Sequence, residues 1–530
     1  MDRRKFIQLG SMAASSAFIE ENVMASIAKK SDAFNVVEAT VNELQQAMTA
    51  GTLSAKKLTE LYLARIKAID KSGPNLNAVI ELNPDALSIA EALDVERAKK
   101  GARGPLHGIP VLLKDNIATA DKMSTSAGSI ALANVKPPRD AFIVTKLRAA
   151  GAVIIGKTNL SEWANIRSTR SSSGWSSRGG LTKNPYALDR NTSGSSSGSG
   201  AAIAASLAAI AVGTETDGSI TSPASVNGLV GIKPTVGLLS RDGIVPISHS
   251  QDTAGPMART VADAAALLTA LAGVDARDSA TTASKGRALD YTKFLDAKGL
   301  SGARIGVTRN FFGSNDRVQA VIETELVILK SKGAILVDVE LPNADKYGDS
   351  ELEVLLFELK ADLNIYLAEF ASASPLKTLA DVIAFNEKNK LKVMPYFSQE
   401  LFVRAEGKGG LDSKAYLDAL ANNLRYSREE GIDKVLLANK LDALIAPTGG
   451  PAWLTDFVAG DNSGSSFTSP AAVAGYPHIT VPAGFVSGLP IGLSFVGGAY
   501  SEATLIKLAY AYEQASKHRR APTYVATAKI

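Results

Sequence analysis

Apolar residues near the start of the chain recur with the spacing of amphipathic helices. Over 36–69 they fall three or four positions apart, and a Gly51-Thr52 break divides the stretch into two helices. Ser54 stands where the second helix begins, in the position of an N-cap. The pattern therefore predicts a pair of helices at the beginning of the folded part.

Helical and strand-like segments then alternate. A charged amphipathic stretch, 84–100, predicts a helix, and the short apolar run 109–113 predicts a buried strand that ends at Lys114. A helix over 141–151 and a strand over 152–155 repeat this order. Such alternation is typical of α/β proteins, so we predict a single large domain with a central mixed, mostly parallel sheet covered by helices.

The later segments extend this picture. The nearly all-apolar run 201–212 predicts a fully buried helix, and 229–232 predicts another buried strand. Residues 275–440 are more polar and helical with few strand signals, and we expect them to form a peripheral layer over the active face. Short apolar runs at 441–446 and 478–482 are expected to rejoin the central sheet.

Composition excludes several kinds of chemistry. The 530 residues include no cysteine, which excludes disulfides, thiol nucleophiles, Fe–S clusters and cysteine-based zinc sites. The net charge of +4 is spread without a basic block, so nothing indicates nucleic-acid binding. The histidines show no metal-ligand spacing, and we expect each to be a surface or hydrogen-bonded residue. They are His107, His249, His478 and His518.

The first residues have the features of an export signal. Arg3 and Arg4 precede a lysine, an aromatic and an aliphatic residue, and a weakly hydrophobic Ala/Ser-rich run follows over 9–19. This resembles the twin-arginine motif, with a small-residue cleavage site after Ala25 or Ala28. A disordered basic leader is the alternative interpretation.

The apolar run in the leader is too short and too polar to span a bilayer, and no other stretch is long enough without charges or glycines. We therefore predict a twin-arginine signal peptide over 1–25, a main domain over 33–525 and no stable membrane insertion. The protein is expected in the periplasm or outside the cell, or in the cytoplasm if the leader does not function.

Two Gly/Ser-rich turns lie between 191 and 224. The first carries Ser195 and Ser196, the second carries Ser219, 24 residues on, and an Ala-rich apolar segment joins them. Each turn alone is compatible with a flexible linker or a helix cap. Both lie between predicted buried elements, however, where connections are normally short and structured.

Ser219 is the best candidate for a nucleophile. It follows Gly218, which lets the backbone approach a substrate closely. Successive N–H groups in such a turn can point at one oxygen, so Thr216, Asp217, Gly218 and Ser219 are predicted to supply an oxyanion hole.

Lys114 is the candidate base. An exposed lysine has a pKa near 10.4 and cannot act as a base at neutral pH, but burial lowers that pKa. The apolar residues before Lys114 offer a means of burying it, whereas a solvated lysine or a partner for Asp115 is the ordinary alternative. Ser195 would relay the proton between Lys114 and Ser219, and Ser196 would cap the helix that follows.

Together these residues resemble the amidase signature family, whose signature joins a GGSSGGS-type turn to a G-T-D-x-G-G-S-type turn with the serine spacing seen here. The similarity extends over roughly residues 35–520. Further matching stretches are GIPVLLKDN (108–116), GKTNLSEWA (156–164), NGLVGIKPTVGLLSRDGIVPIS (227–248), QDTAGPMARTVADAA (251–265) and AGYPHITVPAG (474–484).

The resemblance implies a Ser-Ser-Lys triad. Ser219 would be the nucleophile, Ser195 the bridging serine with a cis peptide bond, and Lys114 the base, with the backbone of 216–219 as the oxyanion hole. It implies an amidase domain over 33–525 and no metal or organic cofactor.

Three positions depart from the usual family pattern. Ser193 precedes Gly194 where the family usually has two glycines, and Glu215 and Asp217 replace an aspartate and a glycine. The residues in these turns resemble those of the peptide amidase branch, whose members remove ammonia from the C-terminal amide of peptides. Asp217 puts a carboxylate beside the expected oxyanion hole, and the sequence assigns it no role.

The expected function is hydrolysis of a carboxamide to a carboxylate and ammonia through a serine acyl-enzyme. The substrate is a small-molecule or peptide amide, with the C-terminal amide of peptides favoured. The alternatives are a general aliphatic or aryl amidase, an inactive binding homologue and a glutamine-hydrolysing transamidase subunit. Loops 165–190 and 300–440 are expected to set the side-chain preference.

Overall fold

A large twisted sheet organises the chain in the computed structural model, which describes residues 34–529. In chain order the strands are β1 Val79–Leu82, β2 Pro110–Lys114, β3 Val153–Thr158, β4 Trp175–Ser176, β5 Gly180–Leu181, β6 Ile210–Glu215, β7 Val230–Lys233, β8 Thr253–Ala258, β9 Arg304–Thr308, β10 Ile335–Val339, β11 Ala443–Pro447, β12 His478–Val486 and β13 Leu489–Val496. β4 and β5 pair only with each other, and the remaining strands of the described part form one eleven-stranded sheet.

The order across this sheet is β1-β3-β2-β6-β8-β7-β12-β13-β11-β9-β10. β2 lies between β3 and β6 and is parallel to both, and β9 lies in the same way between β10 and β11. From β6 through β8, β7, β12 and β13 to β11 every pair is antiparallel, as is β1 with β3. The predicted α/β class and mixed sheet are confirmed, but the sheet is not mostly parallel: of the pairs between its described strands four are parallel, toward the two sides, and six are antiparallel.

Helices pack against this sheet. Their bounds are Val41–Thr49, Ala55–Arg65, Ala86–Lys100, Phe142–Ala149, Ser197–Ala204, Thr221–Val226, Val261–Leu271, Asp316–Ser331, Gly348–Phe370, Leu379–Lys388, Lys390–Val393, Glu400–Glu406, Lys414–Leu424, Asp433–Asn439, Ser469–Ala474 and Glu502–Ser516. Short turns of π-helix follow two of them, at Ile66–Asp70 and Arg425–Ile432.

The predicted pair of helices is present, and the second begins at the predicted cap, Ser54, whereas the cap of the first, Thr40, was not predicted. The Thr40 side chain accepts a hydrogen bond from the Glu43 backbone, and the Glu43 side chain accepts one from the Thr40 backbone, which forms a capping box. Ser54 caps the second helix by accepting from the Lys57 N–H. These contacts satisfy N–H groups that a helix start leaves without partners.

Of the described residues, 40–529 form one compact unit, and 34–39 belong to a separate one. The predicted signal peptide over 1–25 lies outside the described residues. Among the residues that are described, no helix is both long and apolar enough to cross a membrane.

The prediction of one helix over 201–212 is wrong. The helix Ser197–Ala204 ends in a turn at Ser206, whose φ is 54°, and Ile210 then begins β6. Both segments are fully buried, and the parts of them that fall within 201–212 are apolar on every side. Because periodicity cannot distinguish a buried helix from a buried strand in such a run, the turn was not evident.

The prediction that 275–440 is a peripheral helical layer is also incomplete. Two parallel strands from this region, Arg304–Thr308 and Ile335–Val339, extend the central sheet at one edge. The outer strand, Ile335–Val339, is partly exposed, so its alternating pattern is too weak to stand out among helical segments.

A buried ion pair holds the end of β2. The Asp115 carboxylate is fully buried and contacts Arg178 Nη1 at 3.0 Å. Arg178 also bonds Glu81, and Ser126 donates to Asp115. Asp115 is therefore engaged away from Lys114, which excludes the alternative that the two neighbours pair with each other.

Replacing Arg178 by methionine should lower the free energy of unfolding by about 3 kcal/mol or more, because it leaves Asp115 as an unpaired buried charge. Urea denaturation followed by circular dichroism measures this change. Lys414→Met is the matched control, since Lys414 and Asp418 form a pair that is 86% and 60% exposed. It should change stability by less than about 1 kcal/mol, and equal losses in the two variants would contradict the interpretation.

Candidate active site

Lys114 lies at the end of β2 with its side chain fully buried. Its Nζ donates to Ser195 Oγ at 2.8 Å, to Thr214 Oγ1 at 2.9 Å and to the Thr214 carbonyl at 3.1 Å. Thr214 belongs to β6, the neighbouring parallel strand, so the sheet itself brings the lysine against the two turns.

Burial lowers the pKa of Lys114 to about 7, against the nearby charges of Asp252 and Glu215, which act to raise it. In the neutral amine, two N–H groups remain as donors and one lone pair becomes available. The Thr214 carbonyl can only accept, so this lone pair can receive the Ser195 hydroxyl proton. The arrangement is suited to a base that acts through Ser195.

The first turn presents Ser195 from an unusual backbone. The Gly194–Ser195 peptide bond is cis, as the family resemblance implies. A Cβ at Gly194 would lie 2.2 Å from Ser161 Oγ, so only glycine fits there.

Ser196 does not cap the following helix with its side chain, contrary to our expectation. Its hydroxyl instead donates to the Thr214 carbonyl at 3.1 Å and accepts from the Thr214 N–H at 3.2 Å. The Ser196 N–H donates to the Ser219 carbonyl at 3.1 Å. Ser196 therefore ties the first turn to β6 and to the second turn.

The second turn leaves a row of N–H groups available. The Glu215 carboxylate accepts from the N–H groups of Ile220 and Thr221 at 2.7 and 2.9 Å. The four preceding N–H groups, of 216–219, make no hydrogen bond to another described residue. Donors of this kind, held in one turn, are what an oxyanion hole requires.

Ser219 follows β6 directly and not, as expected, a buried helix. It is 7% exposed, and its hydroxyl makes no hydrogen bond with a described residue. Lys114 and Ser195 are thus joined directly, whereas no hydrogen bond between Ser195 and Ser219 hydroxyls is present in the described structure. Catalytic hydrogen bonds are often long without substrate and tighten when it binds.

The Asp217 side chain turns toward the loop before the helix Ser469–Ala474. Its Oδ2 accepts from Ser469 Oγ at 2.6 Å, while Oδ1 is buried without a hydrogen-bond partner. Asp217 lines a cavity beside the second turn, so its carboxylate is part of the site as well as of the fold.

This cavity has a volume of about 250 Å³ and is formed by both turns and by the loop 449–468. Gly194 and Gly218 contribute from the turns, and Trp453, Asp461 and Thr468 contribute from the loop. Loops 165–190 and 300–440 were expected to set specificity; Ser173 of the first lies on this wall, and Phe311 of the second lies on the adjoining cavity, but the contribution of Trp453 and Asp461 was not expected. The Gly/Ser-rich composition of the loop 449–468 over 460–466 was the available signal.

A second cavity of about 350 Å³ continues from the first. The two share Gly449, Gly450 and Trp453, and the second extends to Phe311 and Phe312. The site therefore opens into an elongated groove with an aromatic wall.

Two residues that the sequence analysis did not single out support the second turn. Thr216 Oγ1 donates to Asp252 Oδ1 at 2.5 Å, and Gln251 Nε2 donates to the Thr216 carbonyl at 3.3 Å. The other Asp252 oxygen accepts from the N–H groups of Ile247 and Ser248. Both residues lie in the matching stretch 251–265, which was the signal for them.

The histidines lie in hydrogen-bonded positions away from the serines. His107 and His478 are fully buried and bond Leu93 O and Ser494 Oγ. Among the described residues, His249, Glu358 and Asp362 form the one cluster with metal-ligand spacing. Their ligand atoms bond one another and nearby hydroxyl groups, so the cluster holds a loop against the helix Gly348–Phe370.

These elements define a site for acyl transfer to a serine without histidine. Comparison with protein families agrees with this site: the Amidase family model matches residues 57–506 of the chain. The chain belongs to the amidase signature family, which confirms the resemblance and makes it an amidohydrolase.

Individual relatives agree with this assignment. A probable amidase of Arabidopsis thaliana is 44% identical over 97% of this chain and 96% of its own. A glutamyl-tRNA(Gln) amidotransferase subunit of Halorhodospira halophila is 36% identical over 91% of this chain and 98% of its own. The crystal structure of the native peptide amidase from Stenotrophomonas maltophilia is 53% identical, with a TM-score of 0.88, and the match covers 92% of this chain and 99% of that one.

The pKa of Lys114 predicts the pH dependence of amide hydrolysis. Below about pH 7 the amine becomes protonated and cannot accept a proton, so kcat/KM should fall as pH decreases through 7 and reach a plateau above it. Lys114→Met should lower kcat/KM by about 10²-fold or more and remove this inflection. Initial rates of ammonia release between pH 5 and 9 measure both effects.

Lys157→Met is the matched control, because Lys157 is also fully buried but bonds the Ile117 carbonyl and Thr125. The pH profile of kcat/KM for Lys157→Met should keep the inflection near pH 7. An inflection that persists in Lys114→Met would show that another group is the base.

Proposed function

We propose that the protein hydrolyses the C-terminal carboxamide of peptides to a carboxylate and ammonia through an acyl-enzyme on Ser219. The observation that carries this proposal is the buried contact between Lys114 and Ser195, beside a turn whose N–H groups are unused. A neutral lysine, a relay hydroxyl and free donors are the groups that amide cleavage by serine needs.

In the proposed acylation step, Ser219 Oγ attacks the substrate carbonyl carbon. Its proton passes to Ser195, whose own proton passes to Lys114. The carbonyl oxygen becomes an oxyanion that the N–H groups of 216–219 stabilise. The C–N bond then breaks, and the departing nitrogen takes a proton from the lysine through Ser195 and leaves as ammonia.

In the deacylation step, water attacks the ester carbonyl and gives its proton to the same Ser195–Lys114 pair. The tetrahedral intermediate collapses, the proton returns to Ser219, and the carboxylic acid product ionises. The net reaction consumes one water for each amide and restores the enzyme.

The shape of the groove supports a peptide over a small amide. The first cavity alone is larger than a carboxamide group needs, and the second continues it along Trp453 to Phe311. Aromatic walls with a few polar groups are typical of sites that hold an extended organic ligand. The similarity to a peptide amidase at 53% identity points in the same direction.

The two enzymatic alternatives predict other substrates. A transamidase subunit would act on free glutamine, and the glutamyl-tRNA(Gln) amidotransferase subunit of Halorhodospira halophila is 36% identical to this chain. A general aliphatic or aryl amidase would act equally on short amides. An inactive binding homologue is disfavoured because Lys114, Ser195 and Ser219 are all present.

Substrate choice and the nucleophile can be tested together. The enzyme should release ammonia from N-acetylated dipeptide amides with a kcat/KM at least about tenfold above those for acetamide and free glutamine, because only the peptides fill the groove. Ser219→Ala should abolish all ammonia release while its unfolding midpoint stays near that of the wild type.

Ser240→Ala is the control, since Ser240 is buried like Ser219 but bonds Asp275 and is absent from the cavity wall. It should retain activity, and a sulfonyl fluoride should label only the peptide that contains Ser219. Normal turnover by Ser219→Ala would exclude it as the nucleophile, and preference for glutamine would favour the transamidase alternative.

We also propose that residues 1–25 direct export through the twin-arginine route. The paired Arg3 and Arg4 and the Ala/Ser-rich run 9–19 support this. Expression of the full chain in a bacterium should give a periplasmic protein whose N-terminal sequence begins after Ala25 or Ala28. Replacing both arginines by lysine should retain the uncut protein in the cytoplasm, and unchanged export of that variant would contradict the proposal.

A further inference from the structure

The cavity beside Ser219 is lined by negative charge. Asp217 and Asp461 are the acidic residues on its wall, and among the described residues that line it there is no lysine or arginine. The remaining wall consists of serines, glycines and a few larger side chains, which add no positive charge. A group that enters this cavity therefore meets two acidic side chains and no cationic side chain on the wall itself.

The acyl part of the substrate must occupy this cavity. The leaving group of a primary carboxamide is ammonia, which needs no cavity of its own. Gly218, which precedes the nucleophile, and Gly194, which precedes the relay serine, both lie on the cavity wall. A side chain next to the scissile amide can therefore reach the wall to which Asp217 belongs.

We propose that Asp217 selects the substrate by charge, favouring a cationic residue and rejecting an acidic residue next to the carboxamide. The inference rests on the proposed function and names the substrate class for that same site. It gives a role to the one residue of the second turn that the catalytic steps leave unused.

The hydrogen bonds distinguish Asp217 from Asp461. Both Asp461 oxygens are engaged, Oδ2 by the Ser173 N–H at 2.9 Å and Oδ1 by Trp453 Nε1 at 3.2 Å and Asn191 Nδ2 at 3.4 Å. Asp217 Oδ2 accepts from Ser469 Oγ at 2.6 Å, and its Oδ1 has no hydrogen-bond partner within the described part of the chain. The Asp217 carboxylate is therefore offset by fewer hydrogen-bond donors than that of Asp461, and its charge acts more strongly on a group that enters the cavity.

A neighbouring acid allows Asp217 to keep its charge. Burial and the charge of Asp217 raise the pKa of Glu351 to about 8, so Glu351 carries the proton at neutral pH. Burial also raises the pKa of Asp217, while Ser469, Thr468 and the charge of Lys233 act in the opposite direction. Because Glu351 is protonated, it places no second negative charge beside Asp217.

The test compares three N-acetylated dipeptide amides whose C-terminal residue is lysine, methionine or glutamate. For the wild type, kcat/KM should be at least about tenfold higher for the lysine amide than for the glutamate amide, with methionine between them. In Asp217→Asn, which keeps the size of the side chain, the lysine-to-glutamate ratio should fall about tenfold. Dividing each value by that for the methionine amide removes any general change in rate.

Asp456→Asn is the matched control. Asp456 lies on the same loop as Asp461 but is exposed, bonds the N–H groups of Val458 and Ala459, and is absent from the cavity wall. The lysine-to-glutamate ratio of kcat/KM for Asp456→Asn should equal that of the wild type.

The outcomes separate the two proposals. Equal kcat/KM for the three amides in the wild type, or an unchanged ratio in Asp217→Asn, would overturn the charge selection while leaving peptide amide hydrolysis intact. Failure to hydrolyse even the methionine amide would instead contradict the proposed function. Calorimetric binding of the lysine and glutamate amides to Ser219→Ala would then still decide the charge preference.

Discussion

The site depends on keeping one lysine amine out of water. An amine with an ordinary pKa would be protonated at neutral pH and would have no lone pair to offer. Lys114 avoids this because it is fully enclosed by its own strand and the two serine-bearing turns. Its three hydrogen bonds all go to Ser195 and Thr214, which are neutral, so no partner fixes the charged form.

The surrounding carboxylates are arranged so that they do not undo this effect. A direct ion pair would stabilise the ammonium form and raise the pKa of Lys114. Asp115, the adjacent residue, is paired with Arg178, and Glu215 accepts the N–H groups that follow the nucleophile. Asp252 is committed to Thr216 and a backbone turn. Each acid thus supports the backbone near the site, and none in the described structure forms an ion pair with the lysine.

Much of this site could be predicted from the sequence, since it depends on short-range signals. Apolar runs and glycine positions indicated Lys114 at a strand end and the two serine turns, and the family resemblance joined them into one site. The helix and strand within 201–212 could not be separated, because both are buried on all sides. The strand Ile335–Val339 lies at the sheet edge, where partial exposure weakens the alternating pattern, and the buried strand Arg304–Thr308 beside it is a short apolar run without alternation.

The cavity could not be predicted for a different reason. Its outer wall comes from a loop more than 200 residues after Ser219, and the meeting of Trp453 and Asp461 with the turns is set by packing. Nothing in the local sequence of a loop specifies which distant segment it will contact. The hydrogen bonds of Thr216 to Asp252 and of Asp217 to Ser469 belong to the same class of long-range contact.

The second turn contains two requirements that oppose each other. Its N–H groups must stabilise a developing negative charge, yet Asp217 places a carboxylate among them, and a like charge nearby weakens such stabilisation. The side chain reduces the conflict by directing one oxygen to Ser469, while Glu215 draws the following N–H groups away and leaves those of 216–219 for the oxyanion. The Asp217 carboxylate opposes the developing oxyanion and takes no part in the proton relay. Its proposed role is therefore to discriminate between substrates by the charge of the residue next to the carboxamide.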